Sequence, residues 1–265
     1  MASSKKPVVP SSSFSSSMLQ IAHRFSLFTA FDDFLTMALA AVTQNLHTGE
    51  SWYEQEYLAA MEKYKSLEIR HEFPKACASL ITEMEARIGS SEGNDVLGEF
   101  FEQYISNGKN GQFFTPYHVC MMMASITCGE QVSPEGKVQR IIDPTCGSGR
   151  MLVASSRILG PRHEYYGIDI DPPCIKMSAL NLFLNGVWNS EVMCANAVLP
   201  ADFSFSYRIS LLPLGIFKIE DNEKSKLWHL YNASFEKEVG SDSIVLNPVP
   251  FSERKKDDGT QLPLF

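Results

Sequence analysis

The stretch from Arg140 to Val198 constrains the fold more than any other part of this 265-residue chain. Three short runs rich in β-branched and aromatic residues, at 140–142, 164–170 and 191–198, alternate with two helical patterns, at 151–159 and 175–184. The helical patterns close on Gly160 and on Asn185-Gly186, residues suited to helix C-termini. Strand, helix, strand, helix, strand within about sixty residues implies crossover connections, because parallel neighbours need a long return path. The spacing therefore predicts an α/β fold with a parallel, doubly wound sheet.

Upstream, residues 18–110 read as an N-terminal α-helical region. Tyr53, Tyr57, Leu58 and Met61 fall at one-face helical spacing, and Ala78, Leu80, Ile81, Met84 and Ile88 continue the pattern. The apolar stretch 28–42 contains Asp32 and Asp33 and is shorter than the ~20 residues of a membrane-spanning helix, so it predicts a buried helix and no membrane association. Residues 1–17 are dominated by Ser and Pro and lack the apolar run of a secretory signal, which predicts a disordered tail and a cytoplasmic protein. Helices are expected at 96–105 and 119–127, a strand or hairpin at 207–219, and a further short strand at 243–246. The six cysteines include no CxxC pair and no His partners at zinc-ligand spacing, so buried free thiols and no metal are expected. A net charge of −8 and a pI near 5.3 exclude a protein that coats nucleic acid by bulk electrostatics; any DNA contact must be local.

The chemistry concentrates where the first strand turns into a helix, at Asp143-Pro144-Thr145-Cys146-Gly147-Ser148-Gly149. Two glycines let the backbone approach a ligand, and the helix start beyond them offers free N–H groups. Met151 and Leu152 stand where a dinucleotide fingerprint would continue, and Asp143 adds a carboxylate, which suits a cationic amine better than a pyrophosphate. A plain βα turn is the alternative. Asp169 lies 22 residues beyond Gly147 at the end of the next strand, where a carboxylate can accept hydrogen bonds from ribose hydroxyls. Asp171 is read as a cap for the following helix, with Pro172-Pro173 at its start. A nucleoside carrying a cationic amino-acid tail is S-adenosylmethionine.

Three motifs in succession, Gly111-Gln112-Phe113-Phe114-Thr115-Pro116, the Asp143–Gly149 turn, and Gly167-Ile168-Asp169-Ile170-Asp171, resemble the cofactor motifs of adenine-N6 DNA methyltransferases, specifically the modification subunits of type I restriction systems. The resemblance covers roughly residues 96–200. It implies a Rossmann-like S-adenosylmethionine-dependent methyltransferase domain over residues 111–251, with the cofactor held by Phe114, Thr115, Pro116, Asp143, Thr145, Gly147, Gly149, Asp169 and Asn196. One ring of Phe113 and Phe114 is expected to serve packing only, and Asn196 could equally cap a loop. The family's catalytic Asn-Pro-Pro-aromatic motif finds one candidate, Asn247-Pro248-Val249-Pro250-Phe251. There the Asn247 side chain and Pro248 carbonyl would accept from the adenine amine and Phe251 would stack on the flipped base. Val249 sets Phe251 one residue further from Asn247 than the family pattern, and 51 residues separate Asn196 from Asn247. Only 14 residues follow Phe251, so the sheet is expected to be truncated or rearranged.

The implied activity is site-specific methyl transfer to adenine N6 in DNA, with DNA and a specificity subunit as partners. Two other readings stay open: a degenerate, non-catalytic subunit that binds cofactor or DNA, and a protein or small-molecule methyltransferase. Residues 252–265 read as a flexible tail ending in Gln261-Leu262-Pro263-Leu264-Phe265, which resembles the pentapeptide that docks on the bacterial sliding clamp, with Gln261, Leu262, Leu264 and Phe265 as its contacts. Packing of those side chains on the protein's own sheet edge is the alternative.

Overall fold

Serine is a modest helix former, yet the first described segment is a helix in which serine is the commonest residue. Ser12 caps it by accepting from Ser15 N at 3.1 Å, and Phe14, Met18 and Ile21 form a fully buried stripe. This helix, α1 (Ser13–Ile21), moves the start of the helical region upstream of residue 18: residues 13–17, expected in the tail, are helical, and Phe14 joins the core. The computed structural model describes residues 12–43, 53–65, 68–90, 93–106, 113–129, 137–199 and 202–239, without the side chains of 129 and 234–239. The expected strand at 243–246 and the tail motif lie outside the described residues.

Among the described residues, four more α-helices follow in the N-terminal region: α2 (Leu27–Val42), α3 (Glu54–Tyr64), α4 (Glu72–Ala86), which a short 3-10 turn at Glu68–His71 precedes, and the short α5 (Val96–Phe100), which continues into one turn of π-helix at Phe101–Ser106. Asp33 can sit inside α2 because Lys63 Nζ and the Tyr64 hydroxyl donate to it at 2.7 and 2.9 Å, which offsets the cost of burying its charge. The expected apolar face is shifted: Leu58, Ile81 and Ile88 are exposed, while Ala60, Tyr64, Phe73, Ala76, Leu80 and Met84 are buried. Among the described residues no helix is long and apolar enough to cross a membrane.

The second part follows the predicted alternation. After α6 (Tyr117–Gly129) come β1 (Arg140–Asp143), α7 (Arg150–Leu159), β2 (Glu164–Asp169), α8 (Pro172–Leu184) and β3 (Ser190–Cys194). β1, β2 and β3 pair in parallel. The stretch left open as a strand or hairpin is a hairpin, β4 (Phe205–Leu211) and β5 (Leu214–Ile219), added antiparallel to the β3 edge, so five strands run in chain order among the described residues. Helix α9 (Lys226–Val239) follows, with no counterpart in the sequence reading.

Pleating separates the two faces of the sheet. Tyr165 and Val192 join a core with α7, α8 and the N-terminal helices, whereas Tyr166, Ile168 and Met193 pack with Leu227 and Trp228 of α9 on the other face. One continuous apolar core therefore runs from Phe14 and Phe34 to Leu180 and Tyr207, and the helical region is fused to the sheet.

Candidate functional site

Asp143 and Asp169 are the last residues of β1 and β2, at the carboxyl ends of parallel strands where open α/β sheets bind ligands. Between β1 and α7 the chain makes its tight turn. Gly147 and Gly149 have φ of +53° and +81°, the left-handed region that a side chain strains to adopt. A Cβ on Gly147 would also lie 2.8 Å from the Phe114 ring. The turn is tied to the neighbouring strand: Cys146 N donates to Ile168 O at 2.8 Å, and Gly147 N to Asp169 Oδ2 at 2.9 Å.

Asp169 also accepts from Asp171 N at 2.9 Å, and Asp143 from Thr145 N at 3.1 Å. Among the described residues neither makes a salt bridge. Burial raises both carboxyls above the usual carboxylate range against these backbone donors, and Asp169 pushes Asp143 up further. Two carboxylates thus face one open cavity of about 1450 Å³, lined also by Phe113, Phe114, Thr115, Thr145 and Gly147. Such a site is electrostatically short of a cation. A ligand with a positively charged group near both carboxylates would meet that need.

The Phe-Thr-Pro segment closes the near side. Phe114 stacks on Phe101 at 5.8 Å and 17° between planes, while Phe113 is 77% exposed at the cavity mouth; Phe114 is thus the ring that packs. Phe114 N donates to Glu102 Oε1 at 2.8 Å, and Thr115 O accepts from Arg150 Nη1 at 3.0 Å. Pro116 lies outside the cavity lining, where its carbonyl opens α6 by accepting from Val119 N and Cys120 N. Gly149 likewise faces away, toward Ser178. Asn196 is in the loop after β3, its Oδ1 accepting from Val198 N at 3.1 Å and its N donating to Asp202 Oδ2 at 2.6 Å, the arrangement of a loop cap. Asp171 occupies the N-cap position of α8, with proline in the first turn, but its side chain makes no capping hydrogen bond and instead accepts from Cys174 Sγ at 3.6 Å. Asn247, Pro248 and Phe251 lie outside the described residues.

Sequence reasoning missed the residues behind the turn. Asp95, 7% exposed, accepts from Gly98 N (2.8 Å), Ser148 Oγ (2.5 Å), Arg150 Nε (2.8 Å) and Asn181 Nδ2 (2.6 Å). Arg150, equally buried, also donates Nη2 to Glu102 Oε2 at 3.2 Å. Burial alone would pull its guanidinium down; Asp95 and Glu102 outweigh that and hold it up. The one local signal was Asp95 as an N-cap before an apolar run. The cysteines Cys146, Cys174 and Cys194 are buried free thiols, and burial pushes the first two up, away from nucleophilic use. Among the described residues no His, Cys, Asp or Glu cluster could hold a metal ion.

Comparison with known proteins now bears on this geometry. The model of the N-6 DNA Methylase family matches residues 92–261, more than half of the chain and every segment around the cavity. The chain belongs to the N-6 DNA methylase family. Among its relatives is the type I restriction enzyme MpnII methylase subunit of Mycoplasma pneumoniae, 25% identical over 71% of this chain and 31% of that protein. The type II methyltransferase M.MamI of Microbacterium ammoniaphilum is 31% identical over 39% of this chain and 34% of its own length. A crystal structure of the type I restriction-modification system methyltransferase subunit from Streptococcus thermophilus covers 68% of this chain and 56% of that chain, at 15% identity and a TM-score of 0.35. This N-6 DNA methylase chain spans about a third of the length of the two curated relatives.

Proposed function

We propose that the protein transfers a methyl group from S-adenosylmethionine to adenine N6 in DNA, as part of a restriction-modification system. The observation that carries this reading is the pair of carboxylates, Asp143 and Asp169, facing one cavity across a glycine turn in a chain of the N-6 DNA methylase family. Asp169 would accept from the ribose hydroxyls with the lone pairs its backbone donors leave free, and Asp143 would face the cationic tail. Thr145 and Gly147 would border the ligand at the turn, and Phe114 and Thr115 along the near wall. Pro116, Gly149 and Asn196 would act from behind, by shaping the segment, the helix start and the loop after β3. The bound cofactor supplies an electrophilic methyl group on a sulfonium.

Asn247 and the Pro248 carbonyl are proposed to accept from the two hydrogens of the adenine amine, which frees its lone pair for the methyl, while the Phe251 ring stacks on the flipped base. The mechanism requires no metal and no covalent enzyme intermediate. DNA is the proposed substrate. The type I relative is named a methylase subunit, so a separate specificity subunit is the proposed partner that selects the site. The deciding experiment is transfer of tritiated methyl from S-adenosylmethionine to unmethylated bacterial DNA, by the chain alone and with candidate specificity subunits. Radiolabel in N6-methyladenine is expected. A protein that gives heat with cofactor in a calorimeter but labels no DNA in any combination is a binding subunit; one that gives no heat with cofactor or its demethylated product loses the cofactor assignment altogether.

A further inference from the structure

The wall of the cavity that carries Phe114 and Thr115 belongs neither to β1 nor to the glycine turn, and its placement depends on side chains from two distant parts of the chain. Arg150 is the first residue of α7, immediately after the turn, and it is 7% exposed. Its three donor nitrogens are shared out: Nε to Asp95 Oδ2 at 2.8 Å, Nη1 to Thr115 O at 3.0 Å, Nη2 to Glu102 Oε2 at 3.2 Å. Glu102 turns its other oxygen to Phe114 N at 2.8 Å, and the Arg150 guanidinium sits 5.9 Å from the Phe114 ring centroid. Adjacent backbone groups, the Phe114 N–H and the Thr115 carbonyl, are thus gripped by one ion pair. The π-helical turn at Phe101–Ser106 carries Glu102 and also brings Phe101 under the Phe114 ring.

We infer that Glu102 and Arg150 are positioning residues for cofactor binding: together they hold the Phe114–Thr115 segment against Gly147, so that the N-terminal helical region shapes one wall of the cofactor pocket. The inference rests on the S-adenosylmethionine reading given above. Neither residue is asked to touch the reacting atoms. Arg rather than Lys is required at 150, since only a planar fork reaches Asp95, Glu102 and a carbonyl together. At 102, Gln keeps an oxygen for Phe114 N but turns its NH2, a donor, toward Arg150 Nη2, while Ala removes both acceptors.

The test uses the full chain as wild type, Glu102→Ala, Glu102→Gln and Arg150→Lys, with two readouts: calorimetric affinity for S-adenosylmethionine, and amide hydrogen exchange at Phe114 and Thr115. Glu102, with a side chain 30% exposed, can be changed without emptying the core, so the test survives if Arg150→Lys does not fold. Glu102→Ala is expected to speed exchange at Phe114 and weaken cofactor binding about tenfold, the scale of one lost hydrogen bond to a charged acceptor. Glu102→Gln is expected to restore the slow exchange at Phe114 and part of the affinity, a recovery that mere loss of bulk stability would not produce. Wild-type affinity and exchange in Glu102→Ala would overturn the proposal while leaving the cofactor reading intact. A folded wild type that takes up no cofactor would overturn that reading, and this proposal with it.

Discussion

The acidic groups on the two sides of the glycine turn live in opposite conditions. Behind it, Asp95 accepts four hydrogen bonds, one of them from the buried Arg150 guanidinium. In front of it, Asp143 and Asp169 accept only from backbone N–H groups among the bonds described above, face one open cavity and are pushed up by burial, Asp143 also by Asp169 and Asp169 also by Asp171. A saturated carboxylate is committed to the fold. A carboxylate with spare lone pairs and a like-charged neighbour has interaction capacity left for a ligand, and stability has been given up to keep it there. The contrast predicts that substitutions behind the turn cost mainly stability, and substitutions in front of it mainly affinity.

The largest effect should come from Asp95→Ala. It leaves Arg150 buried with one partner gone, and breaking such a pair costs about 3–5 kcal/mol, so urea unfolding should show a large fall in midpoint. A fall below 1 kcal/mol would break the comparison at its structural end. Gly147→Ala tests the turn itself: the left-handed φ costs an L-residue about 1–2 kcal/mol, and its Cβ must displace the Phe114 ring, so stability and cofactor affinity should fall together.

Asp169→Ala should reverse the balance. Loss of the proposed ribose acceptor is expected to weaken S-adenosylmethionine binding at least about tenfold, read by calorimetry, while the unfolding midpoint falls less than for Asp95→Ala. The smallest effect, and the one of opposite sign, belongs to Asp143→Asn. A carboxyl with its pKa raised in the fold holds its proton more tightly there than in the unfolded chain. It therefore favours folding most below the unfolded pKa and loses that contribution as pH rises through the folded value. Asparagine keeps the acceptor for Thr145 N without the charge, so the variant should be slightly more stable than wild type at neutral pH and lose that advantage as pH falls through the raised folded value to the ordinary carboxylate range. Urea melts across pH would show it, alongside weaker cofactor binding at neutral pH. A variant less stable than wild type at neutral pH would mean that the Asp143 charge is paired in solution.

The elements that could be read from the residues are those whose signal is local. The alternation through 140–194 succeeds because strand and helix periods, glycine closures and crossover lengths are all written within a dozen residues of each other. The turn was legible for the same reason, since Asp143, Gly147 and Gly149 are close neighbours in the chain. Serine content misled at residues 13–17 because composition ignores the i, i+4, i+7 spacing of Phe14, Met18 and Ile21, which decides the matter once a core exists to receive them.

What the sequence by itself determined is the order of elements from β1 to β3 and the place of the glycine turn. Tertiary structure alone decided what stands behind that turn and what edges the sheet. Asp95 reaches Ser148 across 53 residues, and Glu102 reaches Arg150 across 48, distances at which no periodicity or local propensity links one residue to another. The β4–β5 hairpin could have been read as a hairpin, but its place on the β3 edge follows from which apolar faces find each other in three dimensions. Local rules act through neighbouring dihedrals, whereas a buried guanidinium selects its carboxylates only after the chain has collapsed around it and removed the water that would otherwise have solvated them all.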